Sequence, residues 1–307
     1  MAKRILDLTP ARMASLSRTE LLDSLAASEG RVLASETIGV ISPLLNDITN
    51  AEYAAAMGAD ILLLNMFDVQ APVIQALPPC PPEETVRKVK QLTGRIVGIN
   101  LEPVDPAAVA GDTSIWKMSA GRYATVENAV RARDMGVDMI VLTGNPGNGV
   151  SNEAITASLR AISAAVGDDM VLVAGKMHAS GVISEGGENI ITKADIDQFI
   201  DAGADIILLP APGTVPGITT EYIRSLVSYT HSRHKLTLTS IGTSQEGADL
   251  DTIRRIALEC KMTGTDIHHI GDSGYVGMAL PENIMAYGVT IRGIRHQHRR
   301  MAMSLAR

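Results

Sequence analysis

Four ionisable residues follow apolar runs in this chain. Glu36 closes VLASE, Glu102 follows IVGIN, and Lys176 and His178 follow VLVAG. A carboxylate, an amine and an imidazole gathered at one place can move protons or hold an anion. A desolvated lysine can also form a Schiff base. In that reading Lys176 is the nucleophile or the cation that holds a substrate anion, and Glu102, His178 and Glu36 handle protons. A structural alternative is a Glu102–Lys176 ion pair plugging a core. Near these runs stand groups suited to binding a substrate: Asn65 or Asp68, Asn100, Thr143, Asn145 and Arg122.

Two glycine-rich stretches add backbone donors. SIGTSQEGA carries Gly242, Thr243 and Ser244, and HIGDSGYVG carries Gly271, Ser273 and Gly274. Glycine allows close backbone approach and small hydroxyls donate, so these loops are expected to bind phosphate. Glu246 and Asp272 oppose that reading, because both would repel a dianion. Metal chemistry is the other possibility. Glu36, Glu102 and Asp68 offer oxygen ligands suited to Mg2+ or Mn2+, and adding His178 would favour Zn2+ or Mn2+. Such an ion would polarise a carbonyl or activate water, which opens a hydrolase reading. No spacing among these residues is specific for a metal.

The elements that must position these groups announce themselves by a repeat. GADILLL at Gly58, GVDMIVL at Gly136, GADIILL at Gly203 and GTDIHHI at Gly264 each follow a stretch with helical periodicity. Glycine ends a helix in the left-handed conformation, and the apolar run then begins a strand. These four lie too far apart for single βα units of about 30 residues. Between them fall VLASE, IVGIN, VLVAG and LTLTS, giving strand starts near 32, 61, 96, 139, 171, 206, 236 and 267. Eight evenly spaced βα units predict one closed (β/α)8 barrel. A doubly wound open sheet uses the same units, but no GxGxxG follows the first strand. Residues 1–30 read as an N-terminal capping segment with an added helix, 31–291 as the barrel and 292–307 as a basic helix end, in a single domain.

Side chains on a strand alternate between faces, so parity selects those that fill the barrel. It turns Ala34 and Glu36 inward on the first strand, Gly98, Asn100 and Glu102 on the third, and Val141, Thr143 and Asn145 on the fourth. On the fifth it is read as Leu172, Ala174, Lys176 and His178 inward, with Val171, Val173 and Met177 facing helices. The polar ends of these rows fall at the C-terminal face, where barrels carry their active sites. The long third loop holds Trp116, Lys117, Arg122 and Tyr123, fit either to close over an anionic substrate or to meet another subunit. The basic C-terminal segment, with Arg292, Arg295, Arg299 and Arg300, is expected to face solvent and the helix dipole.

Composition bounds the rest. Of 307 residues, 46% are hydrophobic, 20% charged and 3% aromatic, which supports a large aliphatic core. The net charge of −7, with both signs scattered, argues against a nucleic-acid partner. No apolar run approaches a membrane span, and MAKRILDLTPARM lacks the apolar core of a secretion signal. Cys80 and Cys260 show no ligand spacing, consistent with a cytoplasmic location. Homo-oligomerisation is expected of a barrel of this class.

VLTGNPGNGVSNEAITASLRAISAAVGDDMVLVAG resembles the fourth-to-fifth strand region of BtpA-type barrels, a likeness of organisation over residues 31–275. That resemblance admits a non-catalytic binding or assembly protein. The chain also broadly resembles the phosphoenolpyruvate mutase/isocitrate lyase group, in which a carboxylate-bound Mg2+ orients an enolate. It lacks that group's Asp-rich metal motif and KxCG-type loop. Together these readings lead to an expected lyase or isomerase on a small, phosphorylated, sugar-like or oxo-acid substrate.

Overall fold

In the computed structural model, residues 3–104, 118–144, 149–179, 183–242 and 244–307 are described. Asn145, Thr243, Trp116 and Lys117 lie outside them. Eight parallel strands close into a barrel in chain order. They are β1 (Val32–Ile38), β2 (Ile61–Asn65), β3 (Ile96–Leu101), β4 (Met139–Leu142), β5 (Val171–Gly175), β6 (Ile206–Pro210), β7 (Leu236–Ile241) and β8 (Ile267–Ile270). Two short helices come first, α1 (Pro10–Ala14) and α2 (Arg18–Ala26). The strands then alternate with α3 (Asn50–Ala56), α4 (Thr85–Thr93), α5 (Val126–Asp134), α6 (Asn152–Val166), α7 (Lys193–Asp201), α8 (Thr220–Ser232), α9 (Leu250–Thr263) and α10 (Pro281–Ala302). No helix among the described residues is long and apolar enough to cross a membrane.

The glycine–aspartate repeat has a physical role at the bottom of the barrel. Gly58, Gly136, Gly203 and Gly264 all take positive φ, between 89° and 112°, turning each chain from helix into strand. The aspartate two residues later accepts a backbone N–H from the strand before it. Leu33 donates to Asp60 at 2.9 Å, Val97 to Asp138 at 2.9 Å, Leu172 to Asp205 at 3.1 Å and Thr237 to Asp266 at 2.8 Å. Each even strand is thereby fastened to its odd predecessor by a side chain where the ladder begins.

Two apolar layers follow from strand parity. One lies between strands and helices and includes Leu33, Leu62, Leu64, Val97, Ile99, Ile140, Leu172 and Ile207. The other fills the barrel with Val32, Ala34, Ile61, Leu63, Ile96, Met139, Val141, Val171, Val173, Ile206, Leu208, Leu238 and Ile267. Ile5, Leu8, Met13, Leu21 and Leu25 join this inner layer, so the N-terminal segment plugs the bottom.

The observed layers overturn the parity read for the fifth strand. Val171 and Val173 point into the barrel, while Leu172 and Ala174 meet the helices. Every residue of VLVAG is compatible with either face, so periodicity carried no signal there. β5 ends at Gly175, where a Cβ would stand 2.0 Å from the Leu208 carbonyl oxygen. Only glycine permits that close approach.

The basic C-terminal segment also departs from expectation. Arg292 and Arg300 are buried, and both pair with fully buried Asp60. Arg300 further donates to the carbonyls of Ile5 and Leu8, tying α10 to the N-terminal plug. Arg95 lies beside them, and burial together with the charge of Arg300 pulls its guanidinium down to about 10.

Candidate functional site

A cavity of about 460 Å3 opens at the C-terminal ends of the strands, within the range of small-molecule sites. Inward parity delivers its floor and walls: Glu36 from β1, Asn65 from β2, Asn100 at the end of β3, then Glu102, and Thr143 after β4. Loops after β7 and β8 add Gly242, Ser244, Glu246, Gly271, Asp272 and Gly274. Ile38, Met66 and Met177 give it apolar patches.

Glu36, Asn100, Asn65 and Asp272 form one connected chain of hydrogen bonds, with Glu246 and the Glu102–Arg122 pair beside it. The Asn100 amide donates to Glu36 Oε1 and, at 3.2 Å, to Asn65 Oδ1. Asn65 in turn donates to Asp272 Oδ2 at 2.7 Å. Asp272 Oδ1 accepts the Gly274 N–H at 2.8 Å, and Glu246 Oε1 accepts the Ser273 N–H at 2.8 Å. On the third-strand side, the chain returns so that Glu102 N–H donates to the Arg122 carbonyl at 2.9 Å, and the Arg122 guanidinium pairs with Glu102.

Burial and crowding of carboxylates set the proton affinities. Burial, then the charges of Glu36 and Glu246, push Asp272 up to about 7 against the pull of Asn65 and the Gly274 amide. Burial raises Glu246, opposed by the Ser273 amide. It also raises Glu102, though Arg122 draws it back. His178 is lowered by burial and by the neighbouring Lys176 cation. Perturbation of several groups around one cavity is the pattern of a site rather than of a packed core.

Several expected site residues fall elsewhere. Lys176 is 2% exposed and does not line the cavity; Met177 does, in keeping with the inverted parity of β5, and His178 does as well, beyond the end of the strand where parity no longer applies. It acts on the site as a buried charge beside His178, and a Schiff-base role has no geometric support. Asp68 also lies off the cavity lining. Its Oδ1 accepts the backbone N–H of Gln70 at 2.7 Å and of Ala71 at 3.0 Å. Although burial works against its charge, those bonds and one from Ser119 hold its carboxyl below the usual range.

The expected metal set of Glu36, Glu102 and Asp68 therefore does not converge. Among the described residues, no three His, Cys, Asp or Glu side chains are placed to hold an ion. Asp272 has both oxygens engaged by Asn65 and Gly274, and Glu102 is committed to Arg122. These residues do not fit a carboxylate-bound Mg2+.

The phosphate loops differ from expectation in the same way. Gly242, Ser244, Gly271 and Gly274 line the cavity, whereas Ser273 does not. The amides of Ser273 and Gly274, which a phosphate would need, already serve Glu246 and Asp272. In the loop after β8, these two donors serve carboxylates of the chain itself.

Two residues escaped the sequence reading. His269 on β8 and Ser240 on β7 point into the barrel just below Glu36, at 2% and 1% exposure. The parity rule used on β1 would have found Ser240, which shares the inner face of Leu238 on the alternating LTLTS, whereas IHHI reads the same on either face and hides His269. Glu246 carries no strand signal at all, and only the loop geometry reveals it.

Over residues 6–307 the chain belongs to the family described as Domain of unknown function (DUF7916). No curated protein matches it by sequence. Among solved structures it is similar to 2,3-dimethylmalate lyase, a PEP mutase/isocitrate lyase superfamily member, at 17% identity and TM-score 0.52, covering 83% of this chain and 80% of that one. It is similar to oxaloacetate acetylhydrolase at 15% identity and TM-score 0.51, covering 84% and 81%. It also resembles the carboxyl transferase domain of Rhizobium etli pyruvate carboxylase with pyruvate, at 11% identity and TM-score 0.56, covering 97% of this chain and 53% of that chain. At these identities the likeness is one of barrel fold.

Proposed function

We propose that this barrel is a lyase that makes or breaks a carbon–carbon bond in a small oxo or hydroxy acid by acid/base catalysis at its mouth. The observation that carries the reading is Asp272, pushed up to about 7 in a cavity shared with Glu36 and Glu246. A carboxyl group near half-protonation at neutral pH serves as both acid and base. In the cleavage direction, ionised Asp272 takes the substrate hydroxyl proton and that oxygen becomes a carbonyl. The carbon–carbon bonding pair moves onto the departing fragment as an enolate, and Asp272, now protonated, returns that proton to its carbon.

The substrate carboxylate belongs on the opposite wall, near Arg122 and His178. Arg122 Nε is buried there without a hydrogen-bond partner among the described residues. Two barrels of the same fold are named for 2,3-dimethylmalate and oxaloacetate, small oxygenated diacids, and the substrate class is carried over from them as an analogy of fold. A phosphate group is no part of this reading, because the amides of Ser273 and Gly274 are engaged. The resemblance to BtpA-type barrels is one of organisation and identifies no residue of the cavity, so the reading does not draw on it.

Incubation of the protein with a panel of 2-hydroxy and 2-oxo diacids, followed by proton NMR, should show release of a smaller oxo acid. Asp272→Asn should slow that release on the order of 100-fold or more. Equal rates in the two proteins, or cleavage confined to phosphorylated sugars, would overturn the proposal.

A further inference from the structure

We infer that Ser240 fixes the tautomer of His269 so that its Nε2–H faces Glu36, making His269 the positioning residue for that carboxylate. Ladder register pairs Ser240 of β7 with His269 of β8, and His269 with Ala34 of β1, two residues below Glu36. All three side chains point into the barrel. Ser240 Oγ lies 2.6 Å from His269 Nδ1 and 3.5 Å from Met177 Sδ.

The serine hydroxyl has one proton, and an imidazole nitrogen is a much better acceptor than a thioether sulfur. That proton goes to Nδ1, so the ring of the neutral imidazole carries its own on Nε2. Nε2 stands 3.5 Å from Glu36 Oε2, while Asn100 holds the other oxygen, Oε1. The carboxylate is thus approached by a donor at each oxygen and presented to the cavity in one orientation. Glu246, from the loop after β7, also lies within electrostatic reach of the ring.

The order of groups differs from a hydrolytic serine–histidine–acid triad, in which the serine meets the substrate. Here the acid lines the cavity and the serine lies behind it, 1% exposed. Ser240 is therefore a tautomer-setting group and not a nucleophile. The consequence for catalysis rests on the proposed lyase reading; the tautomer does not.

Long-range proton–nitrogen NMR of the full chain with 15N-labelled histidine tests this directly. The ring signals of His269 are identified by their loss in His269→Gln. Wild-type protein should show a protonated Nε2 and a bare Nδ1 at neutral pH. Ser240→Ala should bring in the opposite tautomer, and Ser240→Thr should restore the wild-type pattern. A protonated Nδ1 in the wild type overturns the inference without recourse to any variant, as does an unchanged pattern in a folded Ser240→Ala. Because no turnover is read, a correct tautomer beside an inert diacid panel would sink the lyase reading alone.

Discussion

Replacing Asp272 by Asn should stabilise the protein increasingly as pH rises. In the folded chain this carboxyl ionises at about 7, against 3.8 for an unperturbed one. The native state therefore holds a proton that the unfolded state releases, and stability falls as pH climbs from about 4 to about 7. At about 1.4 kcal/mol per tenfold change in proton affinity, the loss totals about 4 kcal/mol. About 2–3 kcal/mol of it falls between pH 5 and pH 8. Asparagine never ionises and keeps an oxygen for the Gly274 N–H. Its amide would face the Asn65 amide, which costs about 1 kcal/mol independently of pH. Urea unfolding of both proteins at several pH values, followed by circular dichroism, isolates the titrating part. The stability difference should grow in favour of the variant by about 2–3 kcal/mol from pH 5 to pH 8. A difference that stays constant, or grows in favour of the wild type, would refute both the raised affinity and the role built on it.

Asp60→Asn should be the most damaging change at the barrel bottom. It leaves Arg292 and Arg300 buried without their carboxylate, with Arg95 beside them, a loss of about 3–5 kcal/mol in urea unfolding. Arg122→Met should strand Glu102 in the cavity wall, where the two are now paired at 9% and 8% exposure. Glu102 would then titrate higher still, and the variant should lose about 3 kcal/mol at neutral pH while losing less at acidic pH, where the lone carboxyl is neutral.

How much of this was legible in the chain follows from what kind of information each feature needs. All eight strand starts coincide with the residues at which the apolar runs begin, because helix stop, glycine turn and strand are encoded within a few neighbouring residues. Parity was readable on β1, β3 and β4, where polar groups near the strand end, Glu36, Asn100 and Thr143, mark the inward row. It failed on VLVAG because either face could be buried, and that failure moved Lys176 out of the candidate site. IHHI posed the same ambiguity. His268 packs outward against Tyr287 and its neighbour His269 inward against Ser240, a division that one residue of register decides.

Periodicity assigns a side chain to a face, whereas pairing depends on which strands ring closure makes neighbours. Closure alone sets Glu36 of β1 beside His269 of β8 and within electrostatic reach of Asp272. The same closure buries Arg292 and Arg300 on Asp60. Proton affinities depend on burial and on charges distant in sequence, so they too belong to the tertiary structure. The sequence by itself determined the strands and most of their inner faces; the meeting of those faces around one acidic cavity was decided by the fold.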